Sequence, residues 1–139
     1  MLMREKFPFF EAHPELAYLD SAATSQKPAS VLKALQDYYI NDNANVHRGL
    51  YKLAYHTTEG FEAVRGKVAN FIHASRPEEI TFTRSTTDGL NLVASSFGAM
   101  VVKPGDEILV SGAEHHSNFI PWQQLAHRVG AKFVIAPVK

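Results

Sequence analysis

Residues 82–89, Phe-Thr-Arg-Ser-Thr-Thr-Asp-Gly, gather hydroxyl and backbone donors where an apolar run gives way to a helical pattern. The first turn of a helix leaves N–H groups without intrahelical partners and carries a partial positive charge. Thr86 and Thr87 add two hydroxyls there, and Ser85 with Asp88 has the spacing of a capping box, with Asp in place of Glu. In physical terms this is a candidate cup for a phosphate. Such residues are more commonly a plain N-cap cluster, and the segment alone does not single out the phosphate cup. A second polar run, Ser111-Gly112-Ala113-Glu114-His115-His116-Ser117-Asn118, follows the apolar Ile108-Leu109-Val110. Ligands of open α/β sheets bind beyond the carboxyl ends of strands. An imidazole there can stack on a flat aromatic cofactor or exchange protons near neutrality; local hydrogen bonding and zinc ligation are the alternatives. Glu114, His115 and His116 come without a further defined ligand, so no metal is assigned. The third run, Asn45-Val46-His47-Arg48-Gly49, is a polar loop whose arginine could hold a carboxylate or phosphate. It also suits a solvated turn.

The elements that must position these groups follow from periodicity. Residues 1–17 read as an irregular lead-in, and Tyr18-Leu19-Asp20 as a short extended segment running into Ser21-Ala22-Ala23-Thr24. Pro28 suits a helix start. Val31, Leu32, Leu35, Tyr38 and Tyr39 continue with helical spacing until the polar stretch Asn41–Asn45. A second helix carries Phe61, Val64, Val68, Phe71 and Ile72 on one face. Ile80–Thr83 is a strand candidate, and a third helix from about Ser85 places Leu90, Val93, Ala94 and Phe97 on a buried face. Lys103-Pro104-Gly105-Asp106 is a turn, and Ile108–Val110 a buried strand. A helix from about Trp122 to Val129 ends at Gly130, a good residue beyond a helix C-terminus, and Phe133–Ile135 is a last strand. Strand, helix, strand, helix, strand predicts an α/β sheet with parallel neighbours. Three strands would leave open edges, which proteins normally pair or cover, so the chain reads as the first part of a larger domain of marginal stability on its own.

Bulk properties narrow the function classes. The chain has 139 residues, 45% hydrophobic and 20% charged, with zero formal net charge. That balance gives no support for nucleic acid or an anionic membrane surface as the main partner. No run is long and apolar enough for a transmembrane helix, and the N-terminus lacks the apolar core of a signal peptide. A cytoplasmic location is the default expectation. The absence of cysteine rules out a disulfide scaffold, a thiolate metal site and any reaction in which these residues supply a thiol nucleophile.

Four segments, in order and with compatible spacing, resemble the Suf-type (group II) cysteine desulfurase and selenocysteine lyase family of class V aminotransferase-like enzymes. They are YLDSAATSQKP (18–28), ANVHRG (44–49), FTRSTTDGLNLVA (82–94) and GAEHHSNFIPWQ (112–123). The resemblance implies the type I pyridoxal phosphate-dependent transferase fold of the aspartate aminotransferase class, with an incomplete large-domain sheet. Residues 1–28 would form an arm and extended segment; residues 29–139 would bring the N-terminal helices and the first part of the cofactor-binding large domain. It implies pyridoxal 5'-phosphate as cofactor, with Thr86 and Thr87 on its phosphate and His115 stacked on its ring as a catalytic residue. It places Ala22, Ala23, His47 and Arg48 around the substrate, and implies a homodimer, L-cysteine or selenocysteine as substrate and a sulfur-acceptor protein. Ser85 stands where glycine is common and Asp88 where glutamate is common, and both keep a plausible helix start. The covalent cofactor lysine sits in the family within a Ser-x-His-Lys type motif and the pyridine-nitrogen aspartate in an Asp-x-x-Gln type motif; neither is matched here, and Lys139, after Pro137 and Val138, is no match for that lysine. The family's persulfide-forming cysteine and substrate-carboxylate arginine lie further downstream. The expectation is an N-terminal portion without turnover of its own. The alternatives are a selenocysteine lyase, an epimerase or aminotransferase relative, or a non-catalytic binding or assembly piece.

Overall fold

The computed structural model describes residues 3–138, so Lys139 lies outside the described residues. The chain divides into two compact units, residues 1–80 and 81–139.

The first unit is helical. The lead-in is more ordered than its sequence suggests. A 3-10 turn (Met3–Lys6) precedes α1 (Pro8–Ala12), with proline at the helix start, where its missing N–H is not needed. Phe9 meets Phe10 and Tyr18 edge to face at 5.4 and 5.7 Å. The Arg4 guanidinium lies 4.1 Å from the Phe10 ring centre and donates to the Pro14 and Leu16 carbonyls at 3.0 Å each. Aromatic packing with a cation–π contact thus ties down a segment of low periodicity. After an extended stretch, Pro28 caps α2 (Ala29–Asp37), which closes in a π-helical turn (Tyr38–Asp42). The long helix α3 (Lys52–Phe71) begins well before the apolar face that signals it. Thr57 Oγ1 lies 2.7 Å from Asp42 O and 2.9 Å from Leu53 O, lashing the end of α2 to α3.

The second unit is α/β. Helix α4 (Thr86–Val93) runs through a π-helical turn (Ala94–Gly98) into the short α5 (Ala99–Val101). The turn at Lys103–Asp106 forms as expected, with Asp106 N–H donating to Lys103 O at 3.1 Å. Strand β1 (Glu107–Ser111), helix α6 (Ile120–Val129) and strand β2 (Lys132–Ala136) make a β-α-β unit whose two strands pair in parallel, Glu107 with Lys132 through Ser111 with Ala136. Gly130, at φ +73°, takes the left-handed position that ends α6. Leu125, Ala126, Val110, Ala94 and Gly98 form the packed centre. Gly98 lets the helices approach: a Cβ there would sit 2.7 Å from Leu125 Cδ2.

Two expectations fail. Ile80–Thr83 forms no strand; the sheet of the described residues has only β1 and β2. Ile80 is extended and buried, but a strand exists only with a ladder partner. The apolar helix faces and β1 are also less buried than their patterns predict. Phe71 is 85% exposed, Phe97 58% and Leu109 67%, while the buried residues of α3 are Ala54, Thr57 and Ala69. Periodicity identifies the face an element offers for burial; within the described residues nothing covers much of it. The α/β class stands, and the order of elements stands from the helix at Thr86 onward.

Candidate functional site

The Ser85 junction folds as a reciprocal cap. Ser85 is extended (φ −165°, ψ 168°) and its Oγ accepts from Asp88 N–H at 3.2 Å. Asp88 Oδ2 reaches back to accept from Arg84 N–H at 3.3 Å. This is the capping box expected from spacing, with the shorter carboxylate reaching one residue ahead of the cap. The cap uses the Asp88 N–H and leaves those of Thr86 and Thr87 without a partner among the described residues, as it leaves their hydroxyls. Both threonines are exposed. An anion approaching this helix end would meet backbone N–H, hydroxyl and helix-dipole contributions together.

His115 sits one short turn past the carboxyl end of β1, where it opens a 3-10 turn (His116–Asn118). Its Nδ1 accepts from Ser117 N–H at 3.1 Å and lies in hydrogen-bond contact with Ser117 Oγ. An Nδ1 that accepts a backbone N–H leaves the ring proton on Nε2. The turn is braced by a relay that sequence reasoning missed. Asn118 Nδ2 donates to Glu114 Oε2 at 2.9 Å, and Trp122 Nε1 donates to Asn118 Oδ1 at 3.0 Å. The four-residue spacing of Glu114, Asn118 and Trp122 is the signal that could have found it. The His116–Asn118 turn packs against α4, so the structure brings the Thr86–Thr87 helix and the His115 turn together. A cleft of about 380 Å3 runs elsewhere, lined by the consecutive β1 residues Ile108 to Ser111 with Glu114, Asn118 and Trp122. Consecutive residues of one strand point to both faces, so this cleft follows the strand's edge; Thr86, Thr87 and His115 do not line it.

In the helical unit, Ala22 and Ala23 lie in an exposed turn closed by Ala23 N–H on Asp20 O at 3.1 Å and by Tyr18 Oη on Thr24 O at 2.6 Å. His47 has φ +64°, a left-handed conformation that costs a residue with a Cβ roughly 1 kcal/mol. Its N–H donates to Thr58 Oγ1 at 3.0 Å, its Nε2 lies 3.2 Å from Glu62 Oε1, and its ring meets Phe61 edge to face at 5.8 Å. Arg48 follows, exposed, with no hydrogen bond or ion pair among the described residues. The Glu62 and Thr58 contacts were not foreseen; no short-range pattern encodes them. Among the described residues no three His, Asp or Glu side chains converge as a metal site, and no helix is long and apolar enough to cross a membrane.

Residues 17–139 match the family model described as aminotransferase class-V. A probable cysteine desulfurase of Synechocystis is 53% identical over 95% of this chain and 33% of its own length. The apo structure of a cysteine desulfurase from Thermococcus onnurineus superposes with a TM-score of 0.87 at 41% identity, over 95% of this chain and 32% of that one. An S-sulfonic acid form of a cysteine desulfurase from Escherichia coli gives a TM-score of 0.81 at 42% identity, over 98% of this chain and 34% of that one. The chain spans about a third of the length of the curated relatives it matches.

Proposed function

We propose that this chain, which belongs to the aminotransferase class-V family, supplies the phosphate-binding turn and ring-stacking histidine of a pyridoxal phosphate-dependent cysteine desulfurase. The observation that supports it most is the Ser85–Asp88 cap, which leaves the donors of Thr86 and Thr87 unpaired at the start of a helix that packs against the His116–Asn118 turn. When bound, the cofactor draws electrons from the substrate's α-carbon, which makes the carbon–sulfur bond of L-cysteine breakable. The chain's own residues bind and orient. Thr86 and Thr87 hold the phosphate at a positive helix end. His115, its Nδ1 fixed by Ser117, stacks on the ring and offers its Nε2 proton for exchange with the substrate. Ala22 and Ala23 leave room for the substrate, and the loop of His47 and Arg48 borders its pocket.

In this reading residues 1–28 form an arm, and residues 29–139 bring helices and the first part of the large cofactor-binding domain. The chain contains no cysteine, so the thiol that accepts sulfur as a persulfide belongs to another segment, as does the covalent cofactor lysine. The products are alanine and a persulfide that passes to an acceptor protein for iron–sulfur cluster assembly, in a cytoplasmic homodimer. These 139 residues alone turn nothing over.

The test is cofactor absorbance after mixing, then borohydride reduction and mass spectrometry, on this chain and on a full-length version. Only the longer chain is expected to keep a reduced adduct on one specific lysine and release alanine from cysteine. In it, Thr86→Ala or Thr87→Ala weakens cofactor retention about tenfold, the loss of one hydrogen bond to a charged group. Turnover by the 139-residue chain, with the cofactor on a single lysine, would overturn the account of what it lacks.

A further inference from the structure

A left-handed residue with a Cβ persists only where its surroundings over-determine it, and such residues gather at functional positions. His47 meets that description. Backbone, ring nitrogen and ring edge are each engaged, and all the partners, Thr58, Phe61 and Glu62, lie on one face of α3 at helical spacing. Thr58 can accept the His47 N–H because its own hydroxyl proton goes to Ala54 O at 2.7 Å. Glu62 is shared: Oε1 faces His47 at 3.2 Å, and Oε2 accepts from Arg65 Nε at 3.0 Å. Arg65 Nη1 in turn donates to the Ile80 carbonyl. The carboxylate therefore joins the His47 loop to a helix anchored at its far side, and the loop's exposed Arg48 stands next to the fixed residue.

We infer that Glu62 is a positioning residue that holds His47 left-handed and so sets where Arg48 stands at the border of the substrate pocket. This rests on the reading that the 47–48 loop borders a substrate site. Glu62 touches no substrate; it acts through His47.

The test uses the cofactor-loaded full-length protein and two readouts. One is amide hydrogen exchange of residues 45–49; the other is the separation of KM from kcat for L-cysteine. Glu62→Gln keeps the shape of a half-exposed side chain while removing its charge. It is expected to speed exchange of the loop about tenfold and raise KM about tenfold, with kcat and cofactor absorbance within twofold of the parent. Glu62→Asp, which keeps the charge, recovers part of both. Thr58→Val removes a different leg of the same clamp and shifts both readouts in the same direction by less, so the question stays answerable should Glu62→Gln fail to fold. Glu59→Gln, an exposed charge on the same helix, moves neither. Loop exchange at the parent rate in Glu62→Gln, or faster exchange with kcat rather than KM altered, overturns the inference. A parent protein without desulfurase activity overturns the functional reading instead, while the exchange readout still decides whether Glu62 holds the loop.

Discussion

The turn that carries His115 is braced by its neighbours in sequence, whereas the loop that carries His47 is held by a helix that begins after it. Ser117 fixes His115 from two positions away, Asn118 reaches Glu114 from four, and Ser85 caps through Asp88 three residues on. His47 instead depends on Thr58 and Glu62, and the end of α2 on Thr57. The centres differ too. The α/β unit packs around Leu125, the one large side chain under 2% exposed among the described residues, while the helical unit buries chiefly small residues, Ala54, Thr57 and Ala69. A locally braced site keeps its shape with its own element; a remotely held one depends on the helix that reaches it.

The chain carries separate reporters for the two regions. Its single tryptophan, Trp122, is in the α/β unit, and all five tyrosines, Tyr18, Tyr38, Tyr39, Tyr51 and Tyr55, are in the helical one. The largest effect expected is from Leu125→Ala. Removing this buried side chain costs roughly 3 kcal/mol in transfer and cavity energy. Urea unfolding followed by Trp122 fluorescence should show that loss, while the tyrosine signal shifts by less than about 1 kcal/mol. Equal shifts of both probes would mean one cooperative transition and would break the comparison.

Gly49→Ala probes the other region. A Cβ at Gly49 would lie 2.2 Å from Ala54 Cβ and 2.9 Å from Tyr51 Cε1, and Ala54 is only 1% exposed on a helix that cannot yield by a rotamer change. Overpacking of this kind costs about 1–3 kcal/mol. The tyrosine transition should move by that amount and the Trp122 transition should stay in place. A shift confined to Trp122 would contradict the assignment of Gly49 to the packed face of the helical unit.

The same contrast explains what could be read from the sequence. The β-α-β order was legible because Gly130, Pro104-Gly105 and the apolar runs Ile108–Val110 and Phe133–Ile135 are local signals, each set by its own backbone preferences. The Ser85–Asp88 cap was legible for the same reason. Ile80–Thr83 was misread because strand propensity says nothing of whether a ladder partner is present. The Arg4–Phe10 knot escaped because it joins residues without period. The His47 clamp escaped because its partners lie more than ten positions away, and because a histidine at φ +64° gives no sequence signal of the kind a glycine would. Of the candidate site, the residue types were legible, and the contacts that orient His47 were not.

The smallest expected effect tests the most local element. Ser85→Ala removes the acceptor for Asp88 N–H and should cost about 1 kcal/mol, read from the Trp122 transition. Ser85→Gly should cost only a few tenths, since glycine is itself a tolerated N-cap. That ordering separates the cap from the cup: Ser85 serves the helix, and its hydroxyl is already engaged with Asp88. Cofactor retention in the full-length protein should therefore change less in Ser85→Gly than in Thr86→Ala or Thr87→Ala, whose donors have no partner among the described residues. If Ser85→Gly instead loses the cofactor as strongly as the threonine variants, the hydroxyl of Ser85 leaves its cap to bind the phosphate, and the division between a structural Ser85 and the proposed phosphate-binding pair Thr86–Thr87 fails.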